Sequence, residues 1–329
     1  MSTSPAPADV RYTARCPEDV LALVPVVLGF VPHESVAMLT FGAPRPFHAR
    51  VDLPASRAEI PEAVASLLEP ARLHRVRRAL FVLYSDDPRL SGALARALAR
   101  GFERAGVDVV DVLRADGARW YAPLGRPGVP AWGVPYDVSA HPFVAQSVVE
   151  GRVTHASRED LRATLAGDPL RIGRVVAALA ALAGDPPPVL DEGAWAADLV
   201  ERHTRAGTAP DDEEVARLLR GMLEQEVRDA AWSPMTRERS PDHVRFWTDV
   251  VRRTPAPLLA APAALLAFAS WLAGQGALSW CALDRCVEAD EDYPLAGLVA
   301  HALAGALPPE CWEAGGDWRG GHDRGADPG

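Results

Sequence analysis

Between Cys16 and Pro54 the chain reads CPEDVLALVPVVLGFVPHESVAMLTFGAPRPFHARVDLP, and no other stretch restricts its fold as tightly. Pro17 suits the first turn of a helix, where a missing N–H costs nothing, and Glu18 with Asp19 complements the positive end of the helix dipole. The apolar run that follows predicts a helix to about Gly29, kinked at Pro25, with Leu21, Val24 and Leu28 turned toward a core. Ser35 to Phe41 and Phe47 to Leu53 are short runs dense in β-branched and aromatic residues. The turn-forming Gly42-Ala43-Pro44-Arg45-Pro46 between them predicts an antiparallel hairpin. A helix leading into a hairpin organises a fold but names no reaction.

Downstream, Ser56-Arg57-Ala58-Glu59 reads as a capping box for a helix through about Arg72, and Ala79 to Tyr84 as a fully apolar strand. A helix from Arg89 to Arg104 leads to a strand from Val107 to Leu113. Two strand–helix–strand units in succession predict parallel pairing with right-handed crossovers. Asp116-Gly117 then turns the chain into an antiparallel strand over Arg119 to Tyr121. Ala122 to Asp137 is rich in Pro and Gly and reads as a long loop, after which Ser157-Arg158-Glu159-Asp160 caps another helix. From about Leu170 onward the pattern is helical only, punctuated at Gly184-Asp185-Pro186-Pro187-Pro188 and Thr208-Ala209-Pro210-Asp211-Asp212.

The expected fold class is therefore mixed α/β, with a largely parallel sheet and antiparallel hairpins, followed by an all-α helical domain. Residues 13–165 form the first domain and 166–313 the second. The ends, 1–12 and 314–329, are rich in Pro, Gly, Ser and Asp, lack an apolar period, and are expected to be disordered.

A formal charge of -10 and a pI near 5.4 work against nucleic acid or an anionic membrane as partner, since a phosphate-binding surface needs a concentrated basic face. Cys16, Cys281, Cys286 and Cys311 show no C-x-x-C spacing, which argues against a zinc finger and for a cytoplasmic setting. No basic segment precedes the first apolar run, so no signal peptide is read there. Thr254 to Leu283 carries no charged residue and is flanked upstream by Arg252 and Arg253; its length would allow a membrane span. Pro255, Pro257, Pro262 and the break at Gly274-Gln275-Gly276 favour a buried helical hairpin instead.

No nucleotide loop, metal finger or nucleophile elbow appears. Topology alone points to a place for chemistry, because ligands of a parallel sheet bind beyond the carboxyl ends of its strands. Asp52 lies at the end of the expected strand Phe47 to Leu53, Asp86 and Asp87 follow Ala79 to Tyr84, and as clustered carboxylates they would suit Mg²⁺ or Mn²⁺. Asp after a strand is equally a helix cap, and Ser85-Asp86-Asp87-Pro88 fits helix initiation without any ligand. His33 and Ser35, Arg114 and Tyr136 are the candidate contacts for a polar ligand at the same edge.

The Cys16 to Pro54 segment, the Tyr84-Ser85-Asp86-Asp87 turn, the Tyr136-Asp137 pair with His141-Pro142-Phe143, and the region Ala263 to Leu307 together resemble an actinobacterial family catalogued as a domain of unknown function. Its signature is PEDLLALVPYLLGF-x-P-x-x-S, from which this chain departs at Val26, where an aromatic is common. The resemblance brings no catalytic residues. A local likeness to one tetratricopeptide hairpin, over residues 259–307, rests on Leu266-Ala267, Gly274, Ser279, Leu283, Cys286 and Tyr293-Pro294. Two functions are carried forward: a binding or adaptor protein meeting a protein partner through its helical domain, and a divalent-metal-dependent enzyme acting on a phosphorylated or nucleotide-like substrate at the acidic edge.

Overall fold

The computed structural model describes residues 12–43, 47–182, 184 and 187–312. The terminal segments expected to be disordered lie outside them, apart from Tyr12, whose ring packs edge-on to Phe143 at 5.0 Å. Residues 44–46 of the expected hairpin turn, and Asp185 and Pro186, also lie outside. The chain divides into two compact units, 1–161 and 162–329.

In the first unit, α1 (Pro17–Leu28) leads into β1 (Ser35–Phe41) and β2 (His48–Asp52). The helix ends at Gly29, whose φ of 80° lets its N–H reach back to Pro25 O at 2.8 Å. A 3-10 turn and α2 (Ile60–Leu73) follow, then β3 (Arg78–Tyr84), α3 (Pro88–Arg104), β4 (Asp108–Ala115), β5 (Arg119–Tyr121) and β6 (Val134–Pro135). The short helix α4 (Pro142–Val149) comes next, and α5 (Arg158–Ala163) runs across the division between residues 161 and 162. The sequence missed β6, two residues inside a proline-rich loop, and α4, whose single buried residue, Ser147, leaves no apolar stripe to read.

The expectation of a largely parallel sheet is corrected. The strand order is β2-β1-β3-β4-β5-β6, and only β3 and β4 pair in parallel. The reason lies in adjacency. β2, α2 and β3 form a strand–helix–strand unit whose strands run the same way, but β3 joins the free edge of β1, so β1 stands between them and is antiparallel to both.

Strand alternation divides the side chains between two layers. Val36, Met38, Phe81, Leu83 and Val112 face α2 and α3, where they meet Leu67, Leu94, Leu98 and Phe102. Ala37, Leu39, Leu80, Val82 and Leu113 face the other way, against Val20, Leu21 and Val24 of α1. Most of these side chains are all but inaccessible, worth roughly 1.5–3 kcal/mol for each large aliphatic or aromatic one.

The second unit contains α6 (Pro169–Ala181), α7 (Val189–Ala206), α8 (Asp212–Gly221), α9 (Gln225–Trp232), α10 (Ser240–Arg253), α11 (Ala260–Leu272), α12 (Gly276–Ala289) and α13 (Pro294–Ala304). No strand follows Pro135 among the described residues. Every residue from Ala261 to Leu272 is buried, which explains the long uncharged stretch: α11 is apolar all round because protein surrounds it. Among the described residues no helix is long and apolar enough to cross a membrane. α11 and α12 approach closely enough for Ser279 Oγ to donate to Ala267 O at 2.7 Å and Cys286 Sγ to Ala260 O at 3.2 Å.

Candidate functional site

The pairing register brings Ser35 opposite both Asp52 and Tyr84, and Tyr84 opposite Ala115. The start of β1 and the ends of β2, β3 and β4 therefore share one edge of the sheet. The acidic groups near it do not converge. Asp52 is 81% exposed and paired with Arg50 at 2.6 Å. Asp87 caps α3, its Oδ1 accepting from Arg89 N at 2.7 Å and Leu90 N at 3.1 Å, and these bonds hold its pKa below the ordinary value. Asp86 stands exposed beside it. β1 separates β2 from β3, so at about 4.8 Å per strand the ends carrying Asp52 and Asp87 lie about 10 Å apart. Among the described residues no group of three or more His, Cys, Asp or Glu side chains is placed to hold a metal ion.

His33 is exposed, whereas Ser35 is wholly buried and its hydroxyl has no hydrogen-bond partner. The two side chains thus occupy different environments, unlike a nucleophile with its base. Glu34 between them takes a left-handed φ of 41°.

Arg114 is the structural centre of the edge. Only 6% exposed, it donates from Nη1 to Ser85 O at 2.9 Å and lays its guanidinium 3.6 Å from the centre of the Tyr121 ring. Tyr121 OH donates to Asp116 Oδ2 at 2.6 Å. Burial pushes the Asp116 carboxyl upward, but the bonds from Tyr121, Arg119 N and Ala118 N and the charge of Arg114 outweigh it, leaving its pKa below the ordinary value. Gly133 lies so near the Tyr121 ring that a Cβ there would fall 2.5 Å from it, and the Gly133 carbonyl accepts from Arg119 Nη1 at 3.2 Å. Arg114 and Tyr121 are cross-strand partners flanking the Asp116-Gly117 turn, a pairing that counting outward from that turn would have revealed.

Tyr136 is held on the α1 side of the sheet, its pKa raised by burial and by the Asp116 charge. Tyr84, marked in the sequence only as the start of the Tyr84-Ser85-Asp86-Asp87 turn and not as a ligand contact, is buried with an unpartnered hydroxyl, and burial followed by the influence of Tyr136 pushes its pKa well up. Trp120 donates its indole N–H to Glu18 Oε1 at 2.9 Å and is buried; Trp132 is exposed. Of the candidates, Arg114 and Tyr136 thus belong to one polar cluster through Asp116, Ser35 adjoins it through Tyr84, and Asp52 is held apart.

A second arrangement went unread in the sequence. His141 caps α4 by accepting from Phe143 N at 3.2 Å through Nδ1, while Nε2 lies 3.1 Å from Asp19 Oδ1 on α1. These bonds select the neutral tautomer that donates from Nε2. Asp19 also accepts from Arg15 N at 2.6 Å and Cys16 N at 3.3 Å, and burial pushes the Cys16 thiol up. With both ring nitrogens engaged and no thiolate favoured, the group joins two helices and is not set up for nucleophilic attack.

A protein-family model described as a domain of unknown function, DUF4192, matches residues 17–310. The chain belongs to the DUF4192 family. No curated protein and no solved structure matches it. The DUF4192 match opens at Pro17, the first residue of α1, and takes in the sheet, the Arg114 cluster and α6 to α13.

Proposed function

We propose that the protein acts by binding rather than turnover, meeting a protein partner through its helical unit. What supports this reading is the outer face of α6. Of thirteen residues only Val175 is buried, while Leu170 is 80% and Val176 47% exposed, with Ala177, Ala180 and Ala181 exposed beside them. The helix is nevertheless fixed in place: Arg171 pairs with Asp249 at 2.8 Å and Arg174 with Asp212 at 2.7 Å. A rigid helix presenting apolar side chains to solvent is a pre-ordered surface for association. The metal-dependent alternative draws no support from the geometry, since Asp87 serves as a cap and Asp52 as an ion-pair partner. The cytoplasmic setting expected from the cysteine spacing is kept as part of this proposal.

The test is cross-linking mass spectrometry on the full chain in native extract, comparing wild type with Leu170→Asp/Val176→Asp. Exposed positions tolerate such changes within about 0.5 kcal/mol, so thermal melting should hardly move. Partner cross-links that map to α6 and vanish in the variant are expected. Cross-links unchanged by the double substitution, or none on the helical unit, would overturn the reading.

A further inference from the structure

His243 is wholly buried, and neither ring nitrogen makes a well-formed hydrogen bond. It sits in the first turn of α10, where the helix dipole is positive, four residues after Arg239. Its surroundings offer little to balance a charge. α11, packed against α10, is AAPAALLAFASWL and carries no ionisable group. α7 brings His203, already bonded to Thr208 and Glu214, and Thr204, which accepts from Arg239. α6 brings Arg171 and Arg174, engaged with Asp249 and Asp212. On α10 itself, Asp242 is paired with Arg245 at 2.6 Å and Arg239 at 3.7 Å.

We propose that His243 is an acid-sensitive latch, closed while the ring is neutral and opened by protonation, which loosens the packing of α10 on α11. A charge there would be buried without a hydrogen-bonded counter-ion, so the proton is taken up mainly by opened molecules. The direction follows by linkage. Burial, aided by Arg239, lowers the folded-state pKa from 6.5 to about 4, against the weaker pull of Asp242 and the Pro234 carbonyl. Because the folded pKa is depressed, this contribution to stability is full above about pH 6.5, declines as the pH falls through that window, and is exhausted below about 4. Those two values correspond to a closed-to-open ratio about tenfold lower at pH 5.5 than at pH 7.5, and roughly seventyfold lower at pH 4.5.

The test is hydrogen exchange of the α10 and α11 amides in the full chain between pH 7.5 and 4.5, each rate normalised to the intrinsic exchange rate at that pH. Wild type is compared with His243→Leu, which removes the titration without burying a new polar group. Protection in wild type should fall about tenfold by pH 5.5, while that of His243→Leu falls much less. The same decline in both proteins, or none in wild type, would overturn the latch. Should His243→Leu fail to fold, the imidazole resonances of histidine-labelled wild type decide: His243 is expected to stay neutral in folded protein at pH 5.5. A protonated ring in an intact fold at that pH would refute the proposal.

Discussion

Gly133 holds its backbone at φ 77°, and a Cβ built there would fall 2.5 Å from the Tyr121 ring. Gly128, in the same loop, has φ 81° with nothing within 4 Å of such a Cβ. The pair separates two effects usually confounded, backbone strain and side-chain clash. Gly128→Ala should cost about 1 kcal/mol through its left-handed conformation. Gly133→Ala should cost roughly 1–3 kcal/mol more, because the ring stacked on Arg114 must shift. Denaturant midpoints of the two variants check this, and equal losses would show that the ring moves freely. At this scale Arg114 and Tyr136 were legible as polar residues near a strand end. Gly133 and Tyr84 were not, because their roles depend on what lies across the sheet and the loop from them.

Elements are tied together here by a few ion pairs buried at their ends. Arg253, in the last turn of α10, is 2% exposed and donates to Pro210 O at 3.0 Å while contacting Asp212 at 3.2 Å and Asp249. Asp249 and Asp212 hold Arg171 and Arg174 of α6 in turn. Removing the central guanidinium leaves the two carboxylates and a buried carbonyl short of a donor. Arg253→Met should therefore destabilise the helical unit by about 3 kcal/mol, and Arg253→Lys should restore only part of that, since an ammonium lacks the planar fork. Urea unfolding followed by helix circular dichroism measures both; a lysine variant as stable as wild type would show that charge alone suffices. The sequence showed Arg252 and Arg253 only as basic residues before an apolar stretch; that Arg253 is the one turned inward depends on the Pro210 carbonyl and Asp212, more than forty residues earlier in the chain.

Across the whole molecule, apolar side chains are buried within each compact unit, and Arg253 and its partners all lie in the second. Calorimetry of the full chain is expected to resolve two transitions, of which Arg253→Met lowers one; a single transition shifting as a whole would mean that the units unfold together. The sequence by itself determined the elements whose signals are local. The β1–β2 hairpin, the alternation of strands and helices through β4, the Asp116-Gly117 turn and the helical run beyond Leu170 follow from apolar period, caps and turn residues within a few positions of one another. Only the tertiary structure decided that β1 lies between β2 and β3, that Asp52 stays apart from Asp87, and that His243 has no partner. Strand adjacency and side-chain partnership are contacts between residues far apart in the chain, and a local pattern encodes which way a segment runs and which face it buries, but not which neighbour it meets.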